Sequence, residues 1–294
     1  MKNIVLLLGL ILFTGCYSHH KKTEETSSLS TSKKDQQILY DVKYGKNERN
    51  VMDIYLPENR NINTPFVVNI HGGAWTLGDK NFDTKLSEYL FSKGIAVANI
   101  NYRYANDNDI HLPELLSDVD AVFNYLIEHS KEWNTRDTGF SIGGESSGAH
   151  MSLMYAYTGK KYIKAIVERC GPTDFTDTQT LLQLSNNAHL IAAVNKMTGN
   201  KITWKAENPV PESYKPASPV NFVKKIPILI LHGDKDDVVP IRQSYNLIDR
   251  LKEKNYPYQL IVFPGADHSL DALPGNQLKK FSTAANWFNE YGKN

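Results

Sequence analysis

An α/β fold is predicted by this sequence, built on a mostly parallel eight-stranded sheet with helices on both faces and one small cap-like insertion. Three observations predict it. Short apolar runs of strand length alternate with stretches of helical period from Ile38 onward, the alternation that gives a parallel sheet covered on both sides. The motifs able to carry chemistry fall where those strands end, which is where such sheets gather their functional groups. One segment, 174–221, breaks the rhythm, and a connection that long within a compact domain usually serves function.

The first 37 residues stand apart from this pattern. Lys2 supplies a basic start, Ile4 to Phe13 an apolar stretch, and Thr14-Gly15-Cys16 follow. About ten apolar residues are too few for a spanning helix, which needs ~20; the pattern is that of a secretory signal. A cysteine directly after small residues resembles a bacterial lipobox, although Phe13 stands where leucine is more usual. That resemblance implies cleavage before Cys16, lipidation of its sulfur, and a protein exported and lipid-anchored to the cell envelope. Residues 1–15 are thus expected to be a lipoprotein signal peptide. Residues 16–37 are expected to be a disordered tether, because Tyr17 to Gln37 is polar and offers nothing to bury. His19-His20 lies in this tether and reads as solvated rather than metal-binding.

Residues 38–294 make the folded domain, roughly 255 residues and enough for one large core. Ile38–Tyr44 and Val51–Leu56 alternate apolar and polar residues around Gly45-Lys46-Asn47, the signature of an antiparallel hairpin. Phe66–Ile70 and Ile95–Ile100 are short apolar runs suited to buried strands, with helical spacing over Phe82–Lys93 between them. Leu112–His129 places Leu115, Leu116, Val119, Val122, Phe123 and Leu126 on one side of a helix. Strand Gly139–Gly144, helix Ser147–Tyr157 and strand Ile163–Cys170 come next. The insertion reads as one amphipathic helical stretch around Thr178–Met197, then a run through Pro209, Pro211, Pro216 and Pro219. Strand Ile228–His232, helix Ile241–Lys254, strand Tyr258–Phe263 and helix Asn276–Glu290 close the chain.

The formal net charge of +1 over 294 residues argues against nucleic acid as a partner. Two cysteines are present; with Cys16 assigned to lipid, Cys170 has no expected partner and reads as a small buried apolar residue. No internal repeat is visible, and oligomeric state is not readable from the sequence.

Gly144-Glu145-Ser146-Ser147-Gly148 fits G-x-S-x-G between a strand-like and a helix-like run. In that context it is a nucleophile elbow, a turn that lifts a serine hydroxyl into a cleft. Glycine at both flanks has a physical reason, because strand and helix pass so close that a Cβ on either would clash. Gly139-Phe140-Ser141-Ile142-Gly143 fits the same pattern, but Ser141 falls inside the strand, so Ser146 is the better nucleophile. Serine needs an adjacent base, and the base a carboxylate to fix its tautomer. Among nine histidines, His268 follows strand Tyr258–Phe263 in a turn before the last helix. His71 and His232 also end strands, the first leading Gly72-Gly73 and the second beside an acidic loop. His150 reads as structural, and His111, His129 and His189 have no supporting context. The acid comes from the loop of Asp234, Asp236 and Asp237.

His232-Gly233 followed by Asp236 and Val239 resembles the H-G-x-x-D-x-x-V run of esterases and prolyl-oligopeptidase-like hydrolases, which makes Asp236 the acid and Asp234 its main rival. With His71-Gly72-Gly73-Ala74-Trp75 upstream and the order Ser…Asp…His, most of the mature chain resembles the α/β-hydrolase esterase/lipase group. That group includes bacterial carboxylesterases and feruloyl or acetyl-xylan esterase-like proteins. Asn101-Tyr102-Arg103, Pro113-Glu114 with Asp118-Val119, and Gly171-Pro172-Thr173-Asp174 extend the likeness. The resemblance implies a serine carboxylic-ester hydrolase acting through an acyl-enzyme, with Ser146, Asp236 and His268 as triad. Backbone N–H groups of Gly73, Ala74 and Ser147 would bind the oxyanion, and no metal or organic cofactor is implied. Short-acyl or aryl esters are the expected substrates, carbohydrate esters among them by family analogy. Trp75 and Tyr102 would help to form a modest apolar pocket, with Leu181, Leu182, Leu184, Leu190 and Ile191 on one wall. Arg103 reads as structural. Two rivals remain: a prolyl-oligopeptidase-like peptidase, which generally carries a large N-terminal domain where this chain has a tether, and an inactive surface-binding relative of the hydrolases.

Overall fold

Side chains alternate across the pleat of the central sheet and so divide the core into two layers. The computed structural model describes residues 35–271 and 273–293; the expected signal peptide, the expected lipidation at Cys16 and most of the expected tether lie outside them. Eight strands form one sheet, β1 (Gln37–Lys43), β2 (Val51–Leu56), β3 (Phe66–Ile70), β4 (Ala96–Ile100), β5 (Phe140–Glu145), β6 (Ile163–Arg169), β7 (Ile228–Gly233) and β8 (Tyr258–Phe263), in the order β1-β2-β4-β3-β5-β6-β7-β8. The β1–β2 and β2–β4 pairings are antiparallel and the rest parallel. The expected α/β-hydrolase fold, with its mostly parallel eight-stranded sheet, is what forms.

Val67, Val97, Val167, Leu229 and Leu231 pack with α1 (Thr84–Ser92) and α8 (Asn276–Tyr291) on one face. Val68, Ile70, Ala98, Ile142, Ile166 and Ile230 pack on the other with α2 (Leu112–Glu128), α4 (Ser147–Thr158) and α7 (Arg242–Glu253). A short helix, α3 (Ser130–Trp133), extends α2 beyond the sequence expectation and ends at Asn134 with φ 54°, a left-handed stop that asparagine tolerates. The segment expected as one helix over Phe82–Lys93 begins as a 3-10 turn, Lys80–Asp83, capped by Asp79, before α1 starts at Thr84.

The insertion corrects one expectation. Thr178–Met197 is not one helix but two, α5 (Thr178–Ser185) and α6 (Ala188–Thr198). Asn187 causes the break: its side chain accepts the N–H groups of His189 and Leu190, starting a new helix where the old one would have continued. The pair seats on α7 through Gln243, whose Oε1 accepts the N–H groups of Thr173 and Asp174 at 2.7 Å each. Gln243 Nε2 donates to Thr180 Oγ1 at 2.8 Å, and Arg242 pairs with Asp177 at 2.9 Å.

Strands β3 and β5 run in register, Ile70 opposite Gly144, and α4 leaves β5 across the end of β3. A Cβ on Gly148 would lie 2.1 Å from the Ile70 carbonyl oxygen, and one on Gly144 would lie 2.4 Å from Gly148 C. Gly148→Ala should therefore force α4 away from β3, destabilising the fold by about 3 kcal/mol or more; denaturant melts of the purified variant measure this.

Candidate active site

Ser146 ends β5 and precedes α4 with φ 54° and ψ −121°, a backbone conformation costing roughly 1–3 kcal/mol for a residue with a side chain. The strain is held by packing: Gly72 approaches the Ser146 Cβ from below, and Ser146 N–H donates to the Arg169 carbonyl at 2.8 Å. Ser141 sits fully buried inside β5, with its hydroxyl near Gly292 on the α8 side.

His268 lies in the loop after β8, and its Nδ1 bonds Asp236 Oδ2 at 2.7 Å. Asp236 is fixed in turn by the N–H groups of Val238 and Val239, which donate to Oδ1 at 3.0 and 2.8 Å. His232 adds a contact from Nε2 at 3.2 Å. Despite burial, the hydrogen bonds of His232 and His268 hold the Asp236 carboxyl well below the usual carboxylate range, so it stays ionised across neutral pH. With Nδ1 engaged, His268 Nε2 is the nitrogen left for the cleft. Asp234 is occupied elsewhere, its Oδ1 accepting Gly265 N–H at 2.6 Å, while Asp237 offers its carbonyl to Gln183 of α5. Ser146 and His268 line one cleft of about 340 Å³ with Gly72, Gly73, Ala74 and Glu145.

Ser147 is the first residue of α4, so its N–H has no intrahelical acceptor. Gly73, Ala74 and Trp75 follow one another with φ of 125°, 48° and 59°, turning the loop after β3 toward Ser146. Among the described residues, no hydrogen bond uses the N–H of Gly73 or Ala74, so both remain as donors at the cleft. The loop is stapled from beneath. Arg49 stacks on Tyr104 at 3.8 Å and donates to Gly78 O, and Trp75 Nε1 donates to His150 Nδ1 at 3.1 Å. His150 Nε2 then bonds the carbonyl of Ala217 at 2.8 Å, tying loop, α4 and insertion together. Burial pushes His150 down to about 4, keeping it neutral.

Trp75 does line the small apolar pocket, whereas Tyr102 does not: it is fully buried and stacks on His71 at 4.5 Å beneath the loop. Of the five apolar residues expected on the pocket wall, Leu184 and Leu190 line it; Leu181 and Ile191 are buried away from it, and Leu182 faces solvent. Arg103 pairs with Asp118, a structural role. Cys170, His232 and Asp236 place ligand-type atoms within 4.8 Å of one another. Yet His232 Nε2 and Asp236 are already hydrogen-bonded, and burial pushes the Cys170 thiol well above its ordinary value, away from the thiolate a metal takes.

Sequence reading missed a charged group beneath the cleft. Arg169, the last residue of β6 and 1% exposed, donates to Gly144 O at 3.2 Å and to Asp83 Oδ2 at 2.8 Å. Asp83 and Glu145 both line the cleft. A signal for this existed in the Glu168-Arg169 pair ending an apolar strand, because strand ends face the site. Lys280 of α8 donates to Ser269 O at 3.1 Å and pairs with Asp271 at 2.9 Å, fastening the stretch just after His268.

Asp236→Asn should leave the His268 tautomer unsupported and cost on the order of 10⁴ in turnover. Asp234→Asn and Asp237→Asn should cost far less, and single-turnover rates of the three variants settle the assignment; a larger loss at position 234 would move it there.

Residues 52–251 match the BD-FAE family. Among curated relatives, a probable carboxylic ester hydrolase, LipM, of Mycobacterium tuberculosis is 26% identical over 252 residues, 79% of this chain and 56% of that protein. The acylamino-acid-releasing enzyme of Arabidopsis thaliana is 26% identical over 246 residues, 78% of this chain and 30% of that one. The chain thus spans about half, or less, of the length of the curated relatives it matches. Among solved structures, a truncated carbohydrate esterase from gut microbiota superposes with a TM-score of 0.72 at 24% identity, covering 87% of this chain and 96% of that one. Esterase B of Lactobacillus rhamnosis, in an inhibited form, gives 0.68 at 18% identity with 86% of each chain covered. At those identities the superpositions speak for the fold. The match over most of the domain speaks for more: the chain belongs to the BD-FAE family of α/β-hydrolases.

Proposed function

We propose that the protein is a serine carboxylic-ester hydrolase in which Ser146 is the nucleophile, His268 the base and Asp236 the orienting acid. The observation that carries this reading is the Asp236–His268 bond at 2.7 Å, opening onto the same cleft as a serine held at a strained elbow. Ser146 Oγ attacks the ester carbonyl and its proton passes to His268 Nε2, while the imidazolium is stabilised by Asp236. The carbonyl oxygen becomes an oxyanion among the N–H groups of Gly73, Ala74 and Ser147, where preorganised donors act with little reorganisation. Collapse expels the alcohol, which takes the proton back from His268. Water, deprotonated by the same His268, then hydrolyses the acyl-Ser146 ester and regenerates the hydroxyl.

The space beside Ser146 supports short acyl groups. An apolar cavity of about 30 Å³ is bounded by Trp75, Phe175, Leu184, Leu190, Val194 and Val239, room for an acetyl or propionyl tail. A second space bordered by Ser146 is wider, about 340 Å³, and suits a bulkier aryl or sugar alcohol. Acyl series from acetyl to decanoyl, with Ser146→Ala as control, test this. Each methylene that fits should contribute about 0.8 kcal/mol until the cavity is full, after which kcat/KM should fall. Values still rising past eight carbons would indicate a lipase, and strong amidase activity with little ester cleavage would indicate a peptidase.

The sequence before the domain supports a second part of the proposal, that the enzyme is lipid-anchored in the cell envelope through Cys16. Cys16→Ser should release it from membranes on fractionation. Retention of the variant in the membrane fraction would refute the anchor.

A further inference from the structure

The wide side of the cleft is walled by two carboxylates that the reaction does not use. We infer that Glu145 and Asp83 read the alcohol half of the ester, accepting hydrogen bonds from its donor groups and excluding alcohols that carry a carboxylate. The inference rests on the esterase reading above.

Glu145 immediately precedes Ser146 and lines the cleft with it. Its Oε2 lies 3.8 Å from Arg169 Nε and 3.7 Å from Lys280 Nζ, both longer than a hydrogen bond, so its acceptor capacity is not consumed. Asp83 is nine-tenths buried and lines the same wall. It spends Oδ2 on Arg169 Nη2 and Asn69 Nδ2, and Oδ1 has no partner among the described residues. The balancing cations stand behind this wall, with the Arg169 and Lys280 side chains 1% and 5% exposed. A ligand therefore meets the carboxylates and not the cations. Burial and the neighbouring Asp83 carboxylate lift the Glu145 carboxyl above its ordinary value, while Arg169, Lys280 and His268 pull it back toward the ionised form.

Two apolar side chains complete the rim. Leu77 and Phe82 are 57% and 70% exposed and border the same cleft. Both leave apolar surface at the cleft mouth that a ligand can cover. An alcohol half with one apolar face and donor groups along its edge fits both features.

Meta-substituted phenyl acetates, each normalised to its alkaline hydrolysis rate, test the inference. The 3-trimethylammonio and 3-tert-butyl esters share a shape and differ in charge; the 3-carboxy ester reverses the charge, and 3-hydroxymethyl against 3-ethyl isolates a neutral donor. In the wild-type enzyme the trimethylammonio ester should exceed the carboxy ester in kcat/KM by on the order of 10- to 100-fold. Glu145→Gln should shrink that ratio at least about fivefold, and Glu145→Leu should also remove the preference for hydroxymethyl over ethyl. Should either variant fail to fold, the wild-type ratio still decides, because it must fall as salt rises from about 20 mM to 0.5 M. A wild-type ratio near one, or one unmoved by salt, with phenyl acetate itself turned over rapidly, overturns the inference and leaves the esterase standing. No hydrolysis of phenyl acetate overturns the esterase reading and the inference with it.

Discussion

The close approach of α4 to the end of β3 is the constraint on which the site depends. With Gly148 seated against the carbonyl oxygens of Ile70 and His71, the turn between β5 and α4 has no room to relax. Ser146 is consequently locked at positive φ with its side chain above the sheet. The same approach brings the loop of Gly72 and Gly73 beside the first turn of α4, so the proposed nucleophile and the proposed oxyanion donors are positioned by one contact. A tighter helix start also aligns its free N–H groups and the positive end of its dipole with the place where charge develops.

A turn strained in this way needs support from below, and buried polar groups provide it. Arg169 holds Gly144 O through Nε and Asp83 through Nη2. The Arg169 carbonyl meanwhile receives Ser146 N–H. One residue of β6 therefore grips both sides of the turn, with side chain and backbone. Replacing such a buried pair with apolar groups can be neutral for stability. Its value here is geometric, since it fixes the Asp83 carboxylate at the cleft wall. Asp236 is treated similarly, with Val238, Val239, His232 and His268 all directed to it, so rotation of the carboxylate would break several bonds at once.

The sequence carried the strand ends, the elbow, His268 and the acidic loop because each is written locally, while the choice of Asp236 within that loop came from the family resemblance. Glycines at fixed offsets, an apolar run and an acid-bearing loop need no tertiary information. Where tertiary placement decides, the reading stops. Asp83 comes from the turn before α1, Glu145 from the end of β5 and Arg169 from the end of β6, and only the tertiary fold joins them. Tyr102 follows a strand, which suggested a pocket wall, yet stacking on His71 turns it inward. The break in the insertion was legible in principle from Asn186-Asn187, but the apolar period of Leu181, Leu184, Leu190 and Ile191 runs across it and masks the cap.

The two spaces beside Ser146 are built from structurally different parts, which in the proposed mechanism would separate what sets acyl size from what sets alcohol chemistry. Leu184, Leu190 and Val194 bring the acyl wall from α5 and α6, elements seated on the domain through Gln243, Arg242 and the His150–Ala217 bond. Leu77, Phe82, Asp83 and Glu145 bring the alcohol wall from strand-to-helix connections of the sheet itself. Shifts of the insertion relative to α7 would resize the acyl cavity while leaving the carboxylate wall and the Asp236–His268 pair where the sheet holds them. Ala74, Ser146, Leu190 and Val238 border both spaces, so the loop after β3, the insertion and the loop of Asp236 all meet where the proposed acyl and alcohol preferences would couple.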